Sequence, residues 1–155
     1  MKTPLCGRPR SACENEDVIP VFLAIATEDA ETATRAEAIT ALGKYVLKGE
    51  LDEISDPRHD TVVKTLIDLY RHSANVNLRQ RAVEALGFSS RKEVVAFIRE
   101  AWQHESPMWK ASALSAMGRS YDRQWTEEVL EALIHENEIV RLAAAKAAGE
   151  LSLPH

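Results

Sequence analysis

The residues of this chain best suited to chemistry are two histidine–glutamate pairs, His104-Glu105 and His135-Glu136, which recur 31 residues apart. Imidazole and carboxylate groups are both common ligands of transition metals. Each pair is predicted at the C-terminal end of a helix, where the helix dipole favours a protonated imidazole. We therefore predict that the pairs serve the helix ends rather than a metal.

The other candidates for metal or nucleophilic chemistry are isolated. Cys6 and Cys13 are the only cysteines, and no further ligands stand near them at the spacing of a metal site. An intracellular setting would keep both reduced, so free thiols are predicted. His59, in the segment Arg58-His59-Asp60, is predicted to be a solvated or capping loop residue. The sequence thus predicts no catalytic residue, no metal ligand and no cofactor.

The elements that position these residues come from a short helical block that occurs four times. Each copy ends in a glycine, at intervals of 44, 31 and 31 residues, with a basic residue eight positions before it and an alanine five before it. The 31-residue period of the last three copies indicates stacked repeats of two helices, with the alanines on an inward stripe. The glycines are Gly43, Gly87, Gly118 and Gly149, the basic residues are Arg35, Arg79, Lys110 and Arg141, and the alanines are Ala38, Ala82, Ala113 and Ala144.

The repeats predict the boundaries within the chain. A tail at residues 1–17 precedes a solenoid at 18–151, and a second tail occupies 152–155. The repeats are predicted at 18–48, 59–88, 90–119 and 125–151. The first interval is longer than the others by 13 residues, which we interpret as an inserted junction at 49–58. Gly49 is predicted to end the helix before this junction, and the next helix is predicted from about Thr61 to His72.

Local signals predict how the other helices begin and which large side chains they bury. Asn75 is a suitable N-cap, and Ser90-Arg91-Lys92-Glu93 has the pattern of a capping box. Ser106-Pro107 pairs an N-cap with a proline at the first helical position. Trp109 and Trp125 align with aliphatic residues of other repeats, so both are predicted in the core.

Composition agrees with a helical protein that does not enter a membrane. The chain has 155 residues, 45% of them apolar but only 6% aromatic, and a formal net charge of −5. The longest apolar run, residues 21–26, is far too short to span a bilayer. Since no signal peptide is recognisable either, we expect a cytoplasmic protein without a membrane partner.

The four copies resemble HEAT repeats over about residues 18–151, because a basic residue, an alanine, an aliphatic residue and an Ala-Leu-Gly, Ala-Met-Gly or Ala-Ala-Gly ending recur, with 31-residue spacing between the last three copies. They are similar to the short bacterial variety found in phycobilisome-lyase-type proteins. The resemblance implies an all-α fold, a right-handed α–α superhelix of HEAT/armadillo type with four helical pairs. It also implies that the four basic residues tie each repeat to its neighbour. The aspartate usual before the second helix is replaced by residues that keep a hydrogen-bonding cap, namely Glu31, Asn75, Ser106 and Asn137.

Helical geometry predicts which residues of the second helices face outward, and the resemblance implies that this face is concave. Extended concave surfaces of solenoids commonly bind proteins or peptides. We therefore expect a non-catalytic scaffold or adaptor with a protein or peptide partner. The predicted binding residues are Glu37, Thr40, Lys44, Gln80, Arg81, Glu84, Phe88, Ser112, Ser115, Arg119, Leu142 and Lys146.

Two enzymatic alternatives follow from the same resemblance. HEAT-repeat deoxyhypusine hydroxylases bind a di-iron centre through His-Glu pairs within their second helices. The equivalent positions here, such as Ala36-Glu37 in the first repeat, contain no histidine. A bilin lyase is suggested by the repeat subtype alone, and no set of residues supports it.

Nucleic-acid binding is a third class, since some HEAT-like proteins are DNA glycosylases. The basic residues predicted on the second-helix face are interrupted by Glu37, Glu84 and Glu150. Together with the net charge of −5, this weakens the electrostatic attraction that phosphate binding needs. We therefore place a protein partner first and expect no nucleic acid.

The end of the solenoid is the final feature of interest. Terminal repeats need a polar outer face, but residues 142–148 read Leu-Ala-Ala-Ala-Lys-Ala-Ala. Self-association through this helix, a different partner, a longer array of repeats, and simple tolerance of exposed alanines are the alternatives.

Overall fold

A computed structural model describes residues 16–153 of the chain. Eight α-helices and one short 3₁₀ turn lie wholly within these residues, and the same part of the chain contains no strand. The helices are α1 (Ile19–Glu28), α2 (Thr32–Glu50), α3 (Asp56–His72), α4 (Val76–Leu86), α5 (Lys92–Gln103), α6 (Pro107–Ser120), α7 (Thr126–Ala132) and α8 (Glu138–Glu150), with the 3₁₀ turn at Arg123–Trp125. The predicted all-α class is therefore confirmed.

The helices form an α-solenoid of four helical pairs. Within each pair the first helix packs on the second, as α1 does on α2 and α3 on α4. The second helices α2, α4, α6 and α8 also pack side by side in chain order. The second helices form one continuous layer, and the first helices pack on one side of it. This layer positions the surface that the sequence predicts to bind a partner.

The alanine stripe lies in the core, as predicted. Ala38 is 4% exposed, and its three counterparts, Ala82, Ala113 and Ala144, are completely buried. The small side chains let neighbouring helices approach closely, which larger residues at these positions would prevent. Trp109 and Trp125 are also buried, which confirms their predicted place in the core.

The repeat glycines mark the closest approach between successive second helices. Gly43 faces Ala85, Gly87 faces Ala116, and Gly118 faces Ala147. A Cβ atom placed on Gly87 would lie 2.7 Å from the Ala116 Cα atom. Glycine is therefore required there because only a residue without a side chain allows the two backbones to come so near.

The extra length of the first interval is mostly absorbed by longer helices. The prediction that Gly49 ends its helix is wrong, because α2 continues to Glu50 and ends where Asp52 adopts a positive φ of 58°. Gly49 is needed for packing, since a Cβ atom there would overlap the His59 ring. The predicted start of α3 at Thr61 is also wrong, because α3 begins at Asp56. His59 accordingly lies in the first turn of a helix and not in a loop.

The predicted caps are confirmed only in part. The Asn75 and Asn137 side chains accept hydrogen bonds from the backbone N–H groups of Leu78 and Ile139, at 3.1 and 2.8 Å. The capping box at Ser90 is wrong, because Arg91 occupies the N-cap position without a side-chain cap bond. Ser106 and Glu31 stand at N-cap positions, but neither side chain makes a cap hydrogen bond.

Candidate protein-binding surface

The four basic positions of the repeat hold together the two helices of their own pair. Arg35, Arg79 and Lys110 each donate a hydrogen bond to a backbone carbonyl in the last turn of the preceding first helix, whereas Arg141 donates to two carbonyls in the turn between α7 and α8. The bonds run from Arg35 Nε to Ala26 O at 2.8 Å, from Arg79 Nε to Tyr70 O at 2.9 Å, from Lys110 Nζ to Trp102 O at 2.8 Å, and from Arg141 Nη1 to His135 O and Glu136 O at 2.7 and 3.0 Å.

These hydrogen bonds lie within a helical pair, whereas the resemblance implied that the basic residues tie one repeat to the next. The last carbonyls of a helix lack partners within the helix, so a cation placed there satisfies them and complements the helix dipole. Arg79 additionally lies over the rings of Tyr70 and Trp109, with its Cζ atom 5.6 and 5.3 Å from their centroids. Since Tyr70 belongs to the same repeat as Arg79 and Trp109 to the next one, this basic residue contacts both its own repeat and its neighbour.

Hydrogen bonds between successive second helices are made by polar side chains at two of the contacts between these helices. Arg81 Nη1 on α4 donates to Thr40 Oγ1 on α2 at 3.3 Å. At the next contact between second helices, which we call a joint, Ser112 Oγ on α6 donates to Glu84 Oε2 on α4 at 2.6 Å. In both joints the residue three positions before one glycine meets the residue six positions before the next.

The structure places the predicted binding residues in three environments. The prediction that Gln80 and Ser112 face outward is wrong, since they are 8% and 3% exposed. Ser112 is turned towards the preceding second helix, where it bonds Glu84, and a single helix considered alone does not reveal such burial. Fully exposed are Glu37, Thr40, Lys44, Leu142 and Lys146, and half-buried are Arg81, Glu84, Phe88, Ser115 and Arg119.

A cluster formed by Arg119, Phe88 and Glu84 lies at the C-terminal ends of α4 and α6. Arg119 Nη1 donates to the Glu84 backbone carbonyl at 2.8 Å. Its guanidinium carbon lies 5.1 Å from the centroid of the Phe88 ring. Since all three residues are half-buried, the cluster offers an aromatic surface and a positive charge held in a fixed position. We call it the Arg119 cluster.

A shallow groove between α6 and α8 adjoins this cluster. It is lined by Ser115, Arg119, Ala145, Lys146, Gly149 and Glu150. Lysine, arginine and glutamate stand beside small residues there, so the groove is polar and of mixed charge. Such a lining suits the backbone and side chains of a peptide better than an apolar small molecule.

The histidine–glutamate pairs have structural surroundings. The His104 ring stacks on Trp109 with centroids 4.5 Å apart, at the C-cap of α5. His135 Nδ1 accepts a hydrogen bond from the Asn137 N–H at 3.0 Å. Among residues 16–153, no three histidine, cysteine, aspartate or glutamate side chains come together as a metal site would require. Cys6 and Cys13 lie outside the described residues.

Ion pairs and a buried tyrosine join the first-helix layer. Arg91 Nη2 on the α4–α5 turn lies 2.6 Å from Asp60 Oδ1 on α3, and this hydrogen bond, with one from Lys64, lowers the pKa of Asp60. The Tyr70 hydroxyl donates to Glu100 Oε1 at 2.8 Å. Burial, with the Glu100 carboxylate as the second cause, raises the pKa of Tyr70. These contacts stabilise the stack on the side opposite the predicted binding face.

A row of exposed apolar residues was not predicted from the sequence. Val76, Met108 and Ile139 stand in the first turns of α4, α6 and α8, and are 51%, 52% and 44% exposed. Ile134, just before α8, is 85% exposed. The available signal was an apolar residue one or two positions after the cap residue of each of these three helices.

Comparison with known proteins agrees with the repeat architecture. A family model described as HEAT repeats matches residues 63–149, more than half of the chain. A comparison with curated proteins found no match. Within residues 16–153, no helix has the length and apolar character needed to cross a membrane.

Proposed function

The chain belongs to the HEAT-repeat family, and from that premise we propose that it is a non-catalytic scaffold that binds a protein or peptide partner. The binding surface in this proposal is the face of the second helices, centred on the Arg119 cluster. HEAT solenoids commonly use such extended surfaces for protein recognition. We further propose that the chain is of the short bacterial type and acts in the cytoplasm, on the basis of its 31-residue spacing and its composition.

The observation that carries the proposal is the pairing of Arg119 with Phe88. Arginine and aromatic residues dominate the binding energy of many protein interfaces, particularly when they are already held in place. Arg119 is anchored to the Glu84 carbonyl and covers the Phe88 ring. A partner carboxylate or peptide carbonyl can therefore meet this guanidinium without first ordering a flexible side chain, which lowers the entropic cost of binding.

Charge on the same face favours a protein over a nucleic acid. Lys44, Arg81 and Arg119 alternate with Glu37 and Glu84, so the face lacks the uniform positive stripe that tracks a phosphate backbone. Binding is also favoured over catalysis, because His104 and His135 already contact residues of their own or neighbouring turns.

The proposal is tested by affinity capture from the native host with matched arginine variants. Arg119→Ala removes the central cation of the binding face. Arg71→Ala, on α3, is the control, because its guanidinium carbon also lies 5.1 Å from a phenylalanine centroid, that of Phe97. We expect Arg119→Ala to lower the affinity for the captured partner by at least about tenfold, the loss expected when a hot-spot residue is truncated. Arg71→Ala should retain it.

Circular dichroism and thermal unfolding must show that both variants remain folded. Equal capture by the wild type, Arg119→Ala and Phe88→Ala would overturn the proposal. So would nucleic-acid binding in a filter assay with an affinity that falls steeply as salt is raised, since such dependence reports contacts with phosphates.

A further inference from the structure

Within residues 16–153, no helix covers the edge of α8 that corresponds to the edge by which earlier second helices hold the next repeat. This edge comprises the residues seven and four positions before the repeat glycine and the glycine itself. In α8 these are Leu142, Ala145 and Gly149, and all three are exposed, Leu142 to 60%. The corresponding residues Ala36, Ile39 and Gly43 of α2, and Gln80, Val83 and Gly87 of α4, are all buried.

Gly149 shows the same uncovered edge at atomic detail. The other repeat glycines each meet the alanine two positions before the next glycine, as Gly118 meets Ala147. A Cβ atom on Gly149 would meet no atom within 4 Å. A glycine in a helix lowers its stability relative to alanine unless a close contact requires it. Gly149 is thus shaped for a backbone contact that residues 16–153 do not supply.

The opposite end of the stack presents the matching edge. In α4, α6 and α8 the alanine two positions before the glycine is buried and meets the glycine of the preceding repeat. Its counterpart on α2 is Ala41, which is partly exposed. Thr34, two turns earlier on α2, is exposed, although Leu78, Trp109 and Val140 are buried at the same repeat position. Ala41 therefore stands where the other alanines meet a repeat glycine, and Thr34 adds a small polar residue beside it.

The charges at the two edges are complementary. In the joints α2–α4 and α4–α6, the residue three positions before one glycine bonds with the residue six positions before the next. The same rule applied from α8 of one copy to α2 of another pairs Lys146 with Glu37, both of which are exposed.

We propose that the α8 edge docks onto the α2 edge of a second copy of this chain, continuing the solenoid head to tail with Gly149 against Ala41 and Lys146 against Glu37. Such a contact joins two different surfaces and leaves one of each free. It therefore produces a chain of copies or a closed ring, not a symmetric dimer. This chooses self-association among the alternatives that the alanine-rich end of the sequence left open, and it extends the proposed binding face from one copy to the next.

The test is sedimentation equilibrium of the 155-residue chain from micromolar to millimolar concentration, at low and high salt. We expect the mean mass to rise with concentration, and the association to weaken at high salt because the exposed ion pair is screened. Gly149→Leu should lower the association constant by roughly a hundredfold or more, since the side chain fills the contact made by a backbone. Its melting temperature should not fall, because the side chain points into open space in the single copy.

Charge reversal checks the register of the contact. Lys146→Glu and Glu37→Lys should each weaken association by roughly tenfold, and the double variant should restore it, because the pair is then reversed rather than broken. Lys92→Glu, an exposed charge on α5, is the control and should change nothing. A wild-type protein that stays monomeric throughout would overturn the proposal. So would association that Gly149→Leu leaves intact, or a double variant no better than the single ones.

Discussion

The repeat glycines allow one prediction to be worked out quantitatively, because a single substitution meets a different environment in each repeat. Gly87→Ala places a Cβ atom 2.7 Å from the Cα atom and 2.9 Å from the carbonyl oxygen of Ala116. Both are backbone atoms, so α4 and α6 must move apart. Gly149→Ala meets no atom within 4 Å.

The two variants should therefore change the free energy of unfolding in opposite directions. Overpacking of a close helix contact costs roughly 1–3 kcal/mol, so Gly87→Ala should be destabilising by about that amount. Gly149 lies in the last turn of α8, and replacing a helical glycine by alanine there should stabilise by about 0.5 kcal/mol. Gly43→Ala should fall between them, because its Cβ atom would lie 3.3 Å from Ala85.

Urea unfolding in dilute solution, where each copy unfolds separately, measures this order. A difference of about 1 kcal/mol corresponds to roughly 2–4 °C in melting temperature for a chain of this size, so the extremes should be clearly resolved. A Gly87→Ala variant as stable as the wild type, or a Gly149→Ala variant that is less stable, would refute the conclusion that glycines set the spacing between repeats.

Three further predictions follow from single contacts. Arg79→Ala should lower the free energy of unfolding in urea by about 2 kcal/mol, since it removes a cationic hydrogen bond to the Tyr70 carbonyl; an unchanged midpoint would contradict the assigned role. Burial and Glu100 raise the pKa of Tyr70 above its ordinary 10.0. Above about pH 10 the unfolded chain therefore releases a proton that the folded protein keeps, so the free energy of unfolding should decline as the pH rises further. Tyr70→Phe should flatten this decline when urea midpoints are compared between about pH 9 and about pH 11. Asn75→Ala should cost about 1 kcal/mol because the side chain caps α4, whereas Ser106→Ala, at an N-cap without a side-chain bond, should cost clearly less in the same assay.

The features predictable from sequence were those fixed by helical periodicity. The alanines and the basic residues stand at constant distances before each repeat glycine, so aligning the four copies was enough to predict the helical pairs and their buried faces. Trp109 and Trp125 were placed correctly for the same reason, because their positions in the repeat are aliphatic elsewhere. Asn75 was a correct cap because that interaction spans only three residues.

The features that failed depend on contacts between elements. Gly49 does not end α2, because its close packing against His59 outweighs the modest helix penalty of a glycine. Gln80 and Ser112 lie on the outward side of their own helices, yet each is buried by a neighbouring helix. The acceptors of the basic residues were also not predictable, since three lie on the preceding helix and those of Arg141 lie in the turn that follows α7.

Small residues and polar residues have different roles between the second helices, and this difference bears on the proposed function. Glycine meets alanine in all three described joints, which fixes the helix spacing by backbone contact. The polar rows above these contacts differ from joint to joint: Thr40 pairs with Arg81 and Glu84 pairs with Ser112, while the third joint places Ala143, which has no polar side chain, at the same position. Because the stack does not depend on any one polar pair, the residues of this face are free to differ between repeats without altering the fold. Recognition of an irregular partner requires side chains that differ between repeats while the distance between the helices stays the same. The Arg119 cluster, in which a cation is held over an aromatic ring, is one result of this variation.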